Sequence, residues 1–269
     1  MKKFLTVVTI LTGAHLALMG QQDINTELEP QGYGFAEKNT HIDSKDTNGF
    51  TRLHWASNDG ELDDVKELIA QGASLNALNQ YGETPLHRAA FSTGNLDTVK
   101  YLVDNGADVK AKDELGRTPL HHAAKRKDPS IAKYLVVKGA DVEARADNGS
   151  PLHWAVNAHN LDILPYLVEE AGADINAQDE HGNTPLFRAI IMGNSDVVKY
   201  LKEKGADLNA KEKLSLQDWL HKLELISNSE NFDTKERLII ERDINLLKHH
   251  LDEEEMLKVT TDPNTIRIN

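Results

Sequence analysis

The sequence predicts an all-α solenoid of stacked helix-turn-helix units joined by short hairpin-like turns, with helices capping its C-terminal end. Three observations carry that expectation. One four-residue motif occurs five times, as Thr51-Arg52-Leu53-His54, Thr84-Pro85-Leu86-His87, Thr118-Pro119-Leu120-His121, Ser150-Pro151-Leu152-His153 and Thr184-Pro185-Leu186-Phe187. Its copies start 33, 34, 32 and 34 residues apart, and a fixed period in the range of about 20–50 residues marks a stack of one supersecondary unit. A glycine closes the second half of the unit at Gly106, Gly139, Gly172 and Gly205.

Each unit begins with a helix cap. The Thr84 hydroxyl is placed to take up a free backbone N–H of the first turn, a contribution of about 1 kcal/mol. Pro85 follows at the first helical position, where its missing N–H costs nothing and its fixed φ favours the helix. Leu86, Ala89 and Ala90 give that helix one apolar and one narrow face, so a neighbouring unit can approach closely. The second helix carries apolar residues three and four apart, as at Val99, Leu102 and Val103. It stops at a glycine able to adopt the left-handed helix-end conformation. An Ala-Asp-x-x-x-Ala arm and an Asp-x-x-Gly turn, such as Asp113 to Gly116, lead into the next unit.

The units depart from their own pattern in places. Arg52 replaces the motif proline in the first, which suits a terminal unit with one face open to water. The second has an extra residue at Phe91-Ser92-Thr93. In the third, Lys127 replaces the inter-helix glycine, and Asp128-Pro129 supplies a cap and a helix start. The fourth lacks one residue between Gly149 and Ser150 and gains one across Val168-Glu169-Glu170-Ala171-Gly172. It also places Pro165 in its second helix, where an interior proline costs about 3 kcal/mol. That helix therefore starts late or kinks, and a local bend is expected.

Outside the repeats the pattern changes. Met1-Lys2-Lys3, a largely apolar Phe4 to Met19 and a polar Gln21-Gln22-Asp23 give residues 1–20 the layout of a secretory signal peptide, with a retained membrane anchor as the alternative. Residues 21–45 read as a polar linker. Within 212–252, Leu214, Leu216, Trp219, Leu220 and Leu223 suggest a degenerate sixth unit, and Asp233-Thr234-Lys235-Glu236 resembles a capping box. Ile240, Ile244, Leu247 and Leu251 follow at helical spacing. They belong to a helix that either caps the last unit or docks on a partner. Residues 253–269 read as a flexible tail.

The period and the Thr-Pro-Leu-His-x-Ala wording resemble the ankyrin repeat, over five units spanning 46–211. The resemblance implies a structural role for the motif histidine, which would tie adjacent units together. It also implies a non-catalytic protein-interaction module whose variable positions, the turn tips and the exposed side of each first helix, line a concave groove. Those positions hold Tyr81 and Leu115 at tips, Arg88, His122 and Trp154 just past the motif histidine, and Phe91, Arg126 and Met192 at first-helix ends. Aromatic residues, Met and Arg are the types enriched in interface cores. Trp55 and Trp154 could equally fill gaps between helices.

Composition narrows the function further. A net charge of −13 argues against a surface that tracks phosphates, so nucleic acid is not an expected partner. With no cysteine, disulfides and thiolate chemistry are excluded. His54, His87, His121 and His153 recur once per unit as a ladder, whereas a zinc site needs ligands converging about 2 Å from one ion. No metal, cofactor or small-molecule substrate is expected. An enzyme seated in the C-terminal segment is the remaining alternative, and that segment carries neither a phosphate loop nor a His-Glu-x-x-His motif. The partner's identity and the oligomeric state are left open by the sequence.

Overall fold

The fold follows from where the caps lie along the chain. In a computed structural model that describes residues 41–91, 96–227, 241–242, 244–245, 247–248 and 251, a helix starts immediately after each motif threonine or serine. The first unit folds as α1 (Arg52–Asp59) and α2 (Leu62–Ala70), the second as α3 (Pro85–Phe91) and α4 (Leu96–Asp104), the third as α5 (Pro119–Ala124) and α6 (Ser130–Val137). The fourth pairs α7 (Pro151–Asn157) with a π turn (Tyr166–Glu170), the fifth pairs α8 (Pro185–Ile191) with α9 (Ser195–Glu203), and α10 (Ala210–Ser227) closes the stack. The signal-like segment 1–20, residues 21–40 of the linker, Ser92-Thr93, the capping box at 233–236, Ile240 and the tail 253–269 lie outside the described residues.

First helices stack on first helices (α1, α3, α5, α7, α8), and second helices α2, α4 and α6 form a parallel row. Between the rows runs one apolar core. Leu53, Leu86, Leu120, Leu152 and Leu186 form a file in it, each at most 1% exposed. The alanine pairs Ala89-Ala90 and Ala123-Ala124 are buried with them, as expected of small residues that let helices approach. Ile244, Leu247 and Leu251 join the same core as Leu220 and Leu223 of α10, and Lys248 pairs with Glu224 of that helix at 2.7 Å. Their apolar stripe is thus covered within the chain. Among the described residues no helix is long and apolar enough to cross a membrane.

The fourth unit resolves its own irregularities. Leu161–Ile163 form a turn and Pro165 sits immediately before the π turn, so the helix starts late rather than kinking around a mid-helix proline. Elsewhere the alanine after the closing glycine donates to a carbonyl five residues back, as in Ala107 to Leu102 and Ala140 to Leu135. Here Ala173 reaches back six residues to Leu167 at 2.8 Å, and Ala171 bonds Tyr166 at 2.8 Å. A single inserted residue has become one wider turn, the usual form of a π bulge. In the third unit, the Asp128 carboxylate accepts from the Ser130 N–H and hydroxyl at 2.9 and 2.6 Å.

The turn tips are linked to one another. Gln80 N–H donates to Asn48 O, Glu114 N–H to Tyr81 O and Asp147 N–H to Leu115 O, each at 3.1 Å. Tip glycines make this approach possible. Gly49 and Gly82 adopt φ of 78° and 74°, and a Cβ on either would lie 2.7 or 2.9 Å from the backbone nitrogen of the next tip. Any other residue would meet both the left-handed backbone penalty and that clash.

Candidate protein-binding face

The site is built on the tips and the first helices. Four of the five tips open with a polar residue whose side chain folds the turn, the exception being Ala146 in the fourth unit. Asp113 accepts from the backbone N–H groups of Leu115 and Arg117 at 2.9 and 2.8 Å, and Asp46, Asn79 and Asp179 do the same in their units. This fixes the backbone beneath Tyr81 and Leu115 while their side chains stay open, at 39% and 41% exposed. Exposed Glu114, Asp147 and Glu180 occupy the same turns. These acids take the second position of each turn, whereas Tyr81 and Leu115, the positions the repeat resemblance singles out, take the third.

Of the eight candidate side chains, the structure opens Tyr81 and Leu115 to solvent and half-buries Arg88, Phe91, Arg126 and Met192. It encloses His122 and Trp154, which are 1% and 2% exposed. These two are corrected from groove contacts to packing residues. The cause is the neighbouring unit. His122 packs on the rings of His87 and Phe91, and Trp154 on those of His121 and His122, each in the preceding unit. In the first and fifth units the residue at this position turns back to the first residue of its own tip. Trp55 donates its indole N–H to Asp46 at 3.0 Å, and Arg188 binds Asp179 at 2.6 and 3.0 Å. In the fourth unit Ala146 at the tip offers no acceptor, and the Trp154 indole nitrogen has no partner.

Arg88, Phe91, His122 and Trp154 nevertheless form a continuous file across three units. The Arg88 guanidinium lies 5.2 Å from the Phe91 ring centre, Phe91 meets His122 edge-on at 5.6 Å, and His122 meets Trp154 at 5.8 Å. Arg126 donates to the Phe91 carbonyl at 3.0 Å. Met192 ends α8 in the fifth unit and packs against the core, so it stands apart from this file.

The ladder histidines serve the stack. His87 Nδ1 accepts the Thr84 N–H at 3.1 Å, so the proton sits on Nε2, which donates to Arg117 O in the next unit at 3.0 Å. His54, His121 and His153 repeat the arrangement onto Glu83, Gly149 and Asn183 carbonyls. Burial pushes their pKa values down, to about 4 for His54 and about 3 for His121, and holds all of them neutral. In the fifth unit Phe187 cannot play this part. Glu212 of α10 does so, accepting the Thr184 N–H while its second oxygen accepts from Asn209 N–H at 2.8 Å, and Asn209 in turn accepts the Glu212 N–H at 3.0 Å.

Comparisons with known proteins agree with this geometry. A family model described as ankyrin repeats (3 copies) matches residues 15–113 and 120–212. A 50-residue stretch is 48% identical to ankyrin repeat protein OPG189 of monkeypox virus, covering 19% of this chain and 9% of that protein. A 76-residue stretch is 34% identical to palmitoyltransferase ZDHHC13 of Mus musculus and 36% identical to that of Homo sapiens, in each case 28% of this chain and 12% of the relative. The chain therefore spans about a tenth of the length of these relatives, and the palmitoyltransferase alignment covers only the ankyrin region.

Proposed function

Because this chain belongs to the ankyrin repeat family, whose repeats are protein-interaction modules, we propose that it binds a protein partner without chemistry of its own, through the face made by its tips and first helices. The observation that carries this reading is the pair of exposed apolar side chains, Tyr81 and Leu115, on adjacent tips whose backbones are held by tip-to-tip hydrogen bonds. A rigid presentation of this kind lowers the ordering cost of binding. Glu114 and Asp147 border the two apolar groups, their backbones bonded to Tyr81 and Leu115, so the partner surface that fits is apolar with a basic margin. Such contacts between exposed charges weaken with salt.

The signal-like start supports export of the mature chain, with retention of residues 1–20 as an anchor the alternative; mass measurement of the protein recovered from its source cells separates them. The binding reading is tested by affinity capture with residues 21–269, run beside a Tyr81→Ala/Leu115→Ala variant. We expect the variant to lose a partner that the native bait retains, while its melting temperature stays within a few degrees. Partners held equally by both baits would rule out this face, and a matching collapse of stability would assign the two residues to the core.

A further inference from the structure

Buried polar groups without partners are costly, and one stands out here. Both ring nitrogens of His122 lack a hydrogen bond, and the residue is enclosed by the rings of His87, Phe91 and Trp154. An unmade hydrogen bond of this kind costs about 1–3 kcal/mol, and a buried polar atom left unsatisfied in a folded protein often marks an absent water or ion. The charged groups near it are the guanidiniums of Arg117 and Arg88 and two carboxylates. One ligand atom each from His122, Glu83 and Asp113 lies within 4.8 Å of the others, and all three residues are buried. Glu83 Oε1 has only an ion-pair contact to Arg117 at 3.8 Å, longer than a hydrogen bond, while its Oε2 accepts from Asn79 at 2.9 Å.

We propose that Glu83, Asp113 and His122 form a binding site for a divalent transition-metal ion, with Zn2+ the best fit. Imidazole and carboxylate together suit zinc, which is satisfied by three protein ligands and one further donor. Mg2+ keeps several waters and demands six oxygens in a near-ideal octahedron, whereas aromatic rings wall His122 and offer none. His122 is also ready to ligate without losing a proton, because burial keeps it neutral. It lies off the ladder, whose histidines have both nitrogens engaged.

Two guanidiniums set the terms of binding. Arg117 pairs with Asp113 through its Nε, and Arg88 approaches Glu83 Oε2 at 3.6 Å. They neutralise the carboxylates without metal, so an arriving ion competes with them. Arg88 is held by Asn58 at 2.8 Å and can withdraw toward it. Arg117 must loosen from Asp113 or stay as an outer partner of the ligating carboxylate. Competition of this sort makes the site weaker than one built of the three ligands alone.

The test uses Co2+ as a visible stand-in for Zn2+ on the full chain. We expect d–d absorption bands with wild-type protein, their loss on adding Zn2+, and a higher melting temperature with Zn2+ present. His122→Leu removes the unpaired nitrogens and fills the same space, so it should be at least as heat-stable without metal and show neither response. Glu83→Gln keeps the side-chain outline and gives an independent reading, with weakened Co2+ bands expected. Wild-type spectra no different from aqueous Co2+, or bands unchanged in either variant, would overturn the site.

Discussion

A motif histidine uses both ring nitrogens on backbone, one on the cap of its own unit and one on a carbonyl of the next. Only the neutral ring can do this, because Nδ1 must accept while Nε2 donates. The consequence appears in acid. At pH values above about 6.5 these histidines are neutral in folded and unfolded chains alike, and they add no pH dependence. As pH falls toward about 4, the unfolded chain takes up protons that the folded chain refuses, since burial has lowered the folded pKa values. Stability is lost over that window by roughly 1 kcal/mol per pH unit for each ladder histidine. Urea titrations at about pH 7.5 and about pH 5 should therefore differ by several kcal/mol; equal midpoints would mean that the ladder is protonated in the folded state or open to water.

At the level of elements, the most telling piece is α10. Its Glu212 closes two structures at once, the first turn of its own helix and the cap of α8. The carboxylate is buried, and burial raises its pKa. Glu212→Ala would leave the Thr184 N–H without an acceptor and strip the helix cap, so a loss of roughly 2–4 kcal/mol is expected from the two defects. Thermal unfolding checks this, and a shift of under a degree would show that water replaces the carboxylate at no cost. The motif threonines and prolines made the helix starts legible, because each acts on its own neighbours. Glu212 was not legible. It acts 28 residues away, in a place where the repeat wording had already lapsed. His122 and Trp154 were misplaced for a related reason: each is enclosed by rings of the unit before it, His87 and Phe91 around His122 and His121 and His122 around Trp154, which the motif of a single unit does not include.

On the scale of the molecule, the file of leucines makes the stack behave as a chain of neighbour contacts. Each unit is held by the units beside it, so stability is close to a sum over interfaces. Leu120 sits at the middle of that file with no exposed surface. Leu120→Ala is expected to cost roughly 2–5 kcal/mol, the range for a buried large-to-small change, as read from denaturant titration. A loss under about 0.5 kcal/mol would place Leu120 outside the shared core.

The joints between units are not all alike, and this gives the stack a direction of growth. The histidine joint recurs four times with the same atoms on each side, so a duplicated segment inserted between any of the first four units arrives already carrying the means to fasten at both ends. The Thr184–Glu212 joint occurs once and works only against α10. Duplication can therefore lengthen the stack among its first four units, while the face of the fifth unit stays matched to α10 alone.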